Sequence, residues 1–170
     1  MPKASKHHIA IVGPMGVGKT TVAERLSAAT GIRIADSDVW IAVETGRDAS
    51  TVASDEGVES LHQLEARALE EMLAADEPQI VTPAASTIDD APSRRRLREC
   101  AMVVWLDAPI SVLRERMRAG RHRRALAPGE LEALIADRKP LFEEIADLRL
   151  DATDAPDRIA RQIVEASPFS

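Results

Sequence analysis

Apolar residues fall along this chain in two rhythms. Short, largely apolar runs, HIAIV at 8–12, IRIAD at 32–36, QIVT at 79–82, AMVVWLD at 101–107 and LRLDA at 148–152, are bounded by glycine, proline or charged residues. Runs of this length with little alternation are what strands covered on both faces look like. Between them, apolar positions recur at three- and four-residue spacing. Val22, Ala23, Leu26 and Ala29 mark a helix over 20–30 that Gly31 stops, and Leu61, Leu64, Ala68, Leu69 and Met72 give one apolar face to a helix over 59–75. Shorter helices are expected over 39–46, 93–100 and 109–118, the last with a proline in its first turn. Another is expected over 131–145, kinked or broken at Pro140, and a closing helix over 155–166. Strand and helix alternate throughout. The expected fold class is therefore α/β, a parallel sheet of about five strands with helices on both faces and right-handed crossovers. Residues 118–130, RAGRHRRALAPGE, fit neither rhythm and read as a mobile basic loop between two helices.

Composition narrows this picture. The 170 residues are expected to form one domain, 1–170, and 45% hydrophobic with 29% charged residues is the balance of an ordinary packed globule. A net charge of -6 argues against a general nucleic-acid or anionic-membrane surface. The longest apolar run, AMVVWL, is too short to cross a bilayer, and the basic start MPKASK leads into no apolar segment. A cytoplasmic monomer is expected. The single cysteine, Cys100, precedes an apolar strand and reads as a buried, inert thiol.

The stretch GPMGVGKT, Gly13 to Thr20, changes the question from fold to chemistry. It follows the first strand and opens the first helix. In that context G-x-x-x-x-G-K-T turns successive backbone N–H groups inward around phosphate oxygens at the positive end of a helix. Gly13, Gly16, Val17, Gly18, Lys19, Thr20 and Thr21 are the expected nucleotide-binding set, with Lys19 on the outer phosphates and the Thr20 hydroxyl on Mg²⁺. A guanine-reading N-K-x-D element is excluded because the chain has no asparagine.

ADSD, residues 35–38, ends the second strand, where an α/β sheet opens its ligand crevice. In extended backbone Asp36 and Asp38 leave the same face. Paired carboxylates suit phosphoryl transfer, one holding the metal shell and one taking the acceptor's proton. The competing reading is a helix cap at Ser37 or Asp38.

Three segments in this order, GPMGVGKTT, DSDVWIAVETG and DRKPLFEEIAD, resemble the shikimate kinases at closely similar spacing, from about His8 to Ala166. The resemblance implies a P-loop kinase fold with a phosphate loop at 13–20, an acceptor-binding region at about 38–72 and a mobile lid at about 118–130. It implies transfer of the γ-phosphate of ATP to the 3-hydroxyl of shikimate, with Mg²⁺. Asp36 would support the metal together with Thr20, and Asp38 would bind acceptor hydroxyls and act as base. Arg124, in RRALA where the family has arginine before Pro-Leu-Leu, would reach phosphates and substrate, and Arg138 would clamp the substrate carboxylate. Arg116 or Arg118 would stack on adenine opposite Pro156. Glu65 would hold Arg138 or a lid arginine.

Two departures fall on the acceptor side. Where the family has Phe-Arg, this chain has Leu61 and His62, which reads equally as ligand or as structural histidine. Where it has Gly-Gly-Gly, this chain has Pro83, Ala84 and Ala85. Proline offers no N–H, and alanine fills space that glycine leaves open. The expected partners are thus ATP and a small hydroxylated, carboxylated metabolite, with shikimate the leading acceptor. The rivals are a kinase for another hydroxy acid or polyol and a regulatory module that binds ATP without catalysis. RHRR, 121–124, reads as lid charge rather than an RNA patch, since no tyrosine accompanies it. Trp40 and Trp105 read as core rather than substrate platform, although Trp40 follows the aspartate pair closely enough to line the acceptor pocket.

Overall fold

The computed structural model describes residues 6–119 and 126–169. Among them the expected alternation is present. The strands are β1 (His8–Val12), β2 (Arg33–Asp36), β3 (Gln79–Thr82), β4 (Ala101–Asp107) and β5 (Leu148–Asp151). They form one parallel sheet in the order β2-β3-β1-β4-β5, with β1 at its centre. Helices α1 (Lys19–Thr30), α2 (Ser37–Thr45), α3 (Ala49–Glu56), α4 (Val58–Leu73), α5 (Ala91–Cys100), α6 (Ile110–Ala119), α7 (Glu130–Ile145) and α8 (Pro156–Ala166) connect and cover it.

The two-residue side-chain period of a strand divides the core into two. Ile9 and Ile11 of β1 face one side with Val104 and Leu106 of β4, and there they meet Leu26 of α1, Leu113 of α6 and Ile159 and Ile163 of α8. Ala10, Val12, Val103 and Trp105 face the other side, against Leu69 and Met72 of α4, Leu97 of α5 and Phe142 of α7. On the second face Trp105 stacks on Phe142 at 5.6 Å between ring centroids.

Several expectations are corrected. The Asp36–Asp38 segment is not extended: the strand ends at Asp36 and α2 begins at Ser37. The cap is Asp36 itself, whose carboxylate accepts from the Val39 N–H, so neither Ser37 nor Asp38 caps. The buried face of α4 comprises Glu65, Ala68, Leu69, Met72 and Leu73, rather than the stripe starting at Leu61. Pro140 does not break α7 into two helices; it is exposed within one continuous helix. Cys100 is half-buried. Helix α3 and a 3-10 turn at Ala85–Asp89 were not expected at all.

Candidate active site

Because the strands are parallel, their carboxyl ends share one edge of the sheet, and the loops that leave them make a common crevice. The phosphate loop follows β1, α2 follows β2, the Pro83–Ala85 segment follows β3 and Asp107 ends β4.

The loop after β1 is locked by its backbone. Gly13 lies against β4, where an added Cβ would come within 2.6 Å of the Leu106 carbonyl and 2.9 Å of Val17 Cγ1. Gly18 caps α1 in the left-handed region at φ 103°, which brings the chain into the helix with N–H groups foremost. No side chain caps α1 and its first turn carries no acid, so the positive helix end faces the crevice. Lys19 Nζ donates to the Gly13 carbonyl at 2.9 Å and the Pro14 carbonyl at 3.2 Å, closing the loop over itself. Beneath, Arg116 of α6 donates to the Val17 carbonyl at 2.7 Å and to the Ala152 carbonyl at 2.9 Å. That guanidinium ties the phosphate loop to the turn leading into α8, whose first residue is Pro156. Arg118 is exposed near the end of α6.

Asp36 is fixed on two sides. Its Oδ1 accepts from Val39 N at 3.1 Å, and its Oδ2 accepts from Thr82 Oγ1 at 2.6 Å. The second bond follows from register, since Asp36 and Thr82 are direct partners across β2 and β3. Asp38 stands exposed in the first turn of α2, where the helix dipole favours a negative charge.

On the acceptor side, Ala84 has φ -60° and ψ 146°, ordinary extended backbone that needs no glycine, and it leads into the 3-10 turn. Pro83, Ala84 and Ala85 line a small hollow with Val12, Gly13 and Phe142, so the segment does lie against the phosphate loop. Arg138 lines a larger cleft with Pro14, Met15, Trp105 and Phe142, holding about 460 Å³ of open space. Its carboxylate partner is Asp89, through Nε to Oδ1 at 3.1 Å and Nη2 to Oδ2 at 2.8 Å. Glu65, buried on α4, accepts from the Ser86 hydroxyl, and Arg138 pairs with Asp89; the lid arginine that was the other expected partner of Glu65 lies outside the described residues. His62 is exposed, one turn before Glu65 on α4. Arg124 and the RHRR segment lie outside the described residues.

The tryptophans divide. Trp105 is core, while Trp40 is half-buried and donates its Nε1–H to Glu71 at 3.0 Å. Sequence reasoning missed Thr82 and Asp89. The register opposite Asp36 would have found Thr82 had the strand ends been known; Asp89 reads in sequence only as the neighbour of Asp90, the cap of α5.

The shikimate kinase family model matches residues 15–168. Shikimate kinase of Halorhodospira halophila is 34% identical over 163 residues, spanning 93% of this chain and 92% of that protein. The chain belongs to the shikimate kinase family. Shikimate kinase of Thioalkalivibrio sulfidiphilus is 33% identical over 95% of this chain and 86% of its own length. The solved structure of Acinetobacter baumannii shikimate kinase, in complex with shikimate, superimposes with a TM-score of 0.86 at 27% identity, covering 96% of this chain and 93% of that one. As a member of the shikimate kinase family, the chain is an ATP-dependent small-molecule kinase of P-loop fold. Among the described residues no helix is long and apolar enough to cross a membrane.

Proposed function

We propose that this chain transfers the γ-phosphate of ATP to the 3-hydroxyl of shikimate. The observation that carries the reading is the lysine-closed loop at the bare amino end of α1, set on the same sheet edge as the Asp36-anchored start of α2.

In this reading Gly13, Gly16, Val17, Gly18, Lys19, Thr20 and Thr21 bind the triphosphate. Lys19 exchanges its loop carbonyls for phosphate oxygens and offsets charge as the terminal phosphoryl group leaves. Asp38 orients the acceptor hydroxyl and takes its proton while the new P–O bond forms and the bond to the β-phosphate oxygen breaks, releasing ADP. Arg138 anchors the acceptor carboxylate, with His62 and Ala84 lining the same side and Arg124 reaching in from the lid. Arg116 or Arg118 and Pro156 bracket adenine.

The donors suit Mg²⁺. Thr20 and Asp36 are both hard oxygen ligands, and this metal takes one or two such ligands from protein while keeping waters and phosphate oxygens. Asp36 leaves lone pairs on both oxygens beyond the two bonds it accepts. When bound, Mg²⁺ neutralises charge on the outer phosphates.

The test is ADP release on adding shikimate, in the native chain and in Asp38→Asn. The native chain is expected to turn over, and the variant to lose at least about a hundredfold in kcat while binding ADP as before. Unchanged kcat in the variant would remove Asp38 as the base.

A further inference from the structure

Arg138 is the side chain through which an anionic acceptor is held in the proposed reaction, yet in this structure its charge is already answered. Asp89 grips the guanidinium side-on: Nε lies 3.1 and 3.3 Å from the two carboxylate oxygens, and Nη2 lies 2.8 Å from Oδ2. The pair is lopsided in exposure, with the arginine side chain 12% exposed and the aspartate 50%. Around the arginine the cleft is lined mainly by apolar groups, among them Pro14, Met15, Trp105, Leu134 and Phe142. Lys139, on the same rim, is exposed to solvent.

The backbone bearing Asp89 is fixed on both sides. Arg94 Nη1 donates to the Ile88 carbonyl at 2.8 Å, and Asp90 caps α5 by accepting from Ser93 N at 2.9 Å. Asp89 ends the 3-10 turn that begins at Ala85, directly after the Pro83–Ala84 segment beside the phosphate loop. The carboxylate, by contrast, is half-exposed, so water solvates it when it is displaced.

We propose that Asp89 sets the affinity of this site for its anionic acceptor by competing with the acceptor's carboxylate for Arg138. This rests on the proposed shikimate kinase reaction. A fork of two parallel N–H groups binds one carboxylate at a time. An incoming carboxylate either displaces Asp89 from that edge or takes the remaining Nη1–Nη2 edge end-on, beside a like charge. Either course weakens acceptor binding without touching the phosphate loop, so Asp89 acts on KM for the acceptor and leaves kcat and the ATP side alone.

Asp89→Asn and Asp89→Ser test this, with initial rates against shikimate and against ATP, and calorimetric titration of shikimate into each protein with ADP and Mg²⁺ present. Both KM and Kd for shikimate are expected to fall about three- to tenfold, with kcat and KM for ATP within about twofold of the native chain. Unchanged or weaker shikimate binding in both variants overturns the proposal, the latter by making Asp89 a support that orients Arg138. Tighter shikimate binding in the variants without ADP release from any form upholds competition and instead removes the proposed reaction. Absence of shikimate binding in every form overturns both.

Discussion

Asp36 and His62 differ in what their neighbours supply. Asp36 keeps its position because one oxygen caps α2 and the other meets Thr82. Its acidic type and its place at a strand end were legible in the sequence. Its conformation was not, because a short polar side chain that bonds the backbone three residues on ends a strand just where periodicity would continue it. His62 stands exposed, with the buried carboxylate of Glu65 one turn further along α4. An arginine at position 62 would have that carboxylate at i+3 to orient it. A charge-assisted bond to the acceptor carboxylate contributes roughly 1.5 to 3 kcal/mol, or about ten- to a hundredfold. His62→Arg is therefore expected to lower KM for shikimate by about tenfold and to leave KM for ATP as it was. Initial-rate kinetics on both substrates measure this, and a shift confined to ATP would show that the new side chain reaches phosphate instead.

Among the elements, those with an apolar period or a glycine signature were legible, and the short ones were not. Helix α3, ASTVASDE, buries only Val52, and it forms because Asp48 accepts from Thr51 N at 2.7 Å and the chain then packs on α4. One buried position in eight leaves no periodicity to detect. The 3-10 turn after β3 is held by the bonds of Ser86 to Glu65 and of Arg94 to the Ile88 carbonyl, which the local sequence does not announce. The helix α7 continues through Pro140 because the lost N–H is a single bond in a sixteen-residue helix that packs Leu131, Phe142 and Ile145. The phosphate loop is the opposite case, a motif whose every glycine has a geometric reason. Its closest backbone approach is at Gly13, where an alanine Cβ would meet at 2.6 Å the carbonyl of Leu106, near the carboxyl end of β4 and held there by pairing with β5. Gly13→Ala is expected to destabilise the fold by about 1 to 3 kcal/mol and to weaken ADP binding more than tenfold, since the loop must move off the strand. Thermal unfolding and ADP titration together decide it, and native ADP affinity in a folded variant would mean the loop tolerates the shift.

At the scale of the whole molecule, α4 and β3 are tied together at the entry to the central strand by His8, a residue whose role periodicity could not suggest. The residue is 1% exposed. Nε2–H donates to the Leu73 carbonyl at the end of α4, at 3.1 Å, and Nδ1 accepts from Gln79 N at the start of β3, at 3.2 Å. Both bonds together require the neutral ring with its proton on Nε2. Burial holds the pKa below the ordinary 6.5; the Leu73 bond opposes this, and the neighbouring His7 adds to it. Between the depressed folded value and 6.5 the unfolded chain therefore binds more protons than the folded one, so stability rises with pH across that window. Above 6.5 the ring is neutral in both states and contributes no slope; as pH falls through the window the stability is progressively lost. His8→Gln keeps an amide that both donates and accepts but does not titrate. Urea unfolding of the two proteins across this range is expected to give curves that converge as pH falls, the native chain losing stability faster than the variant. Parallel curves would place the proton uptake elsewhere and leave His8 as a packing residue alone.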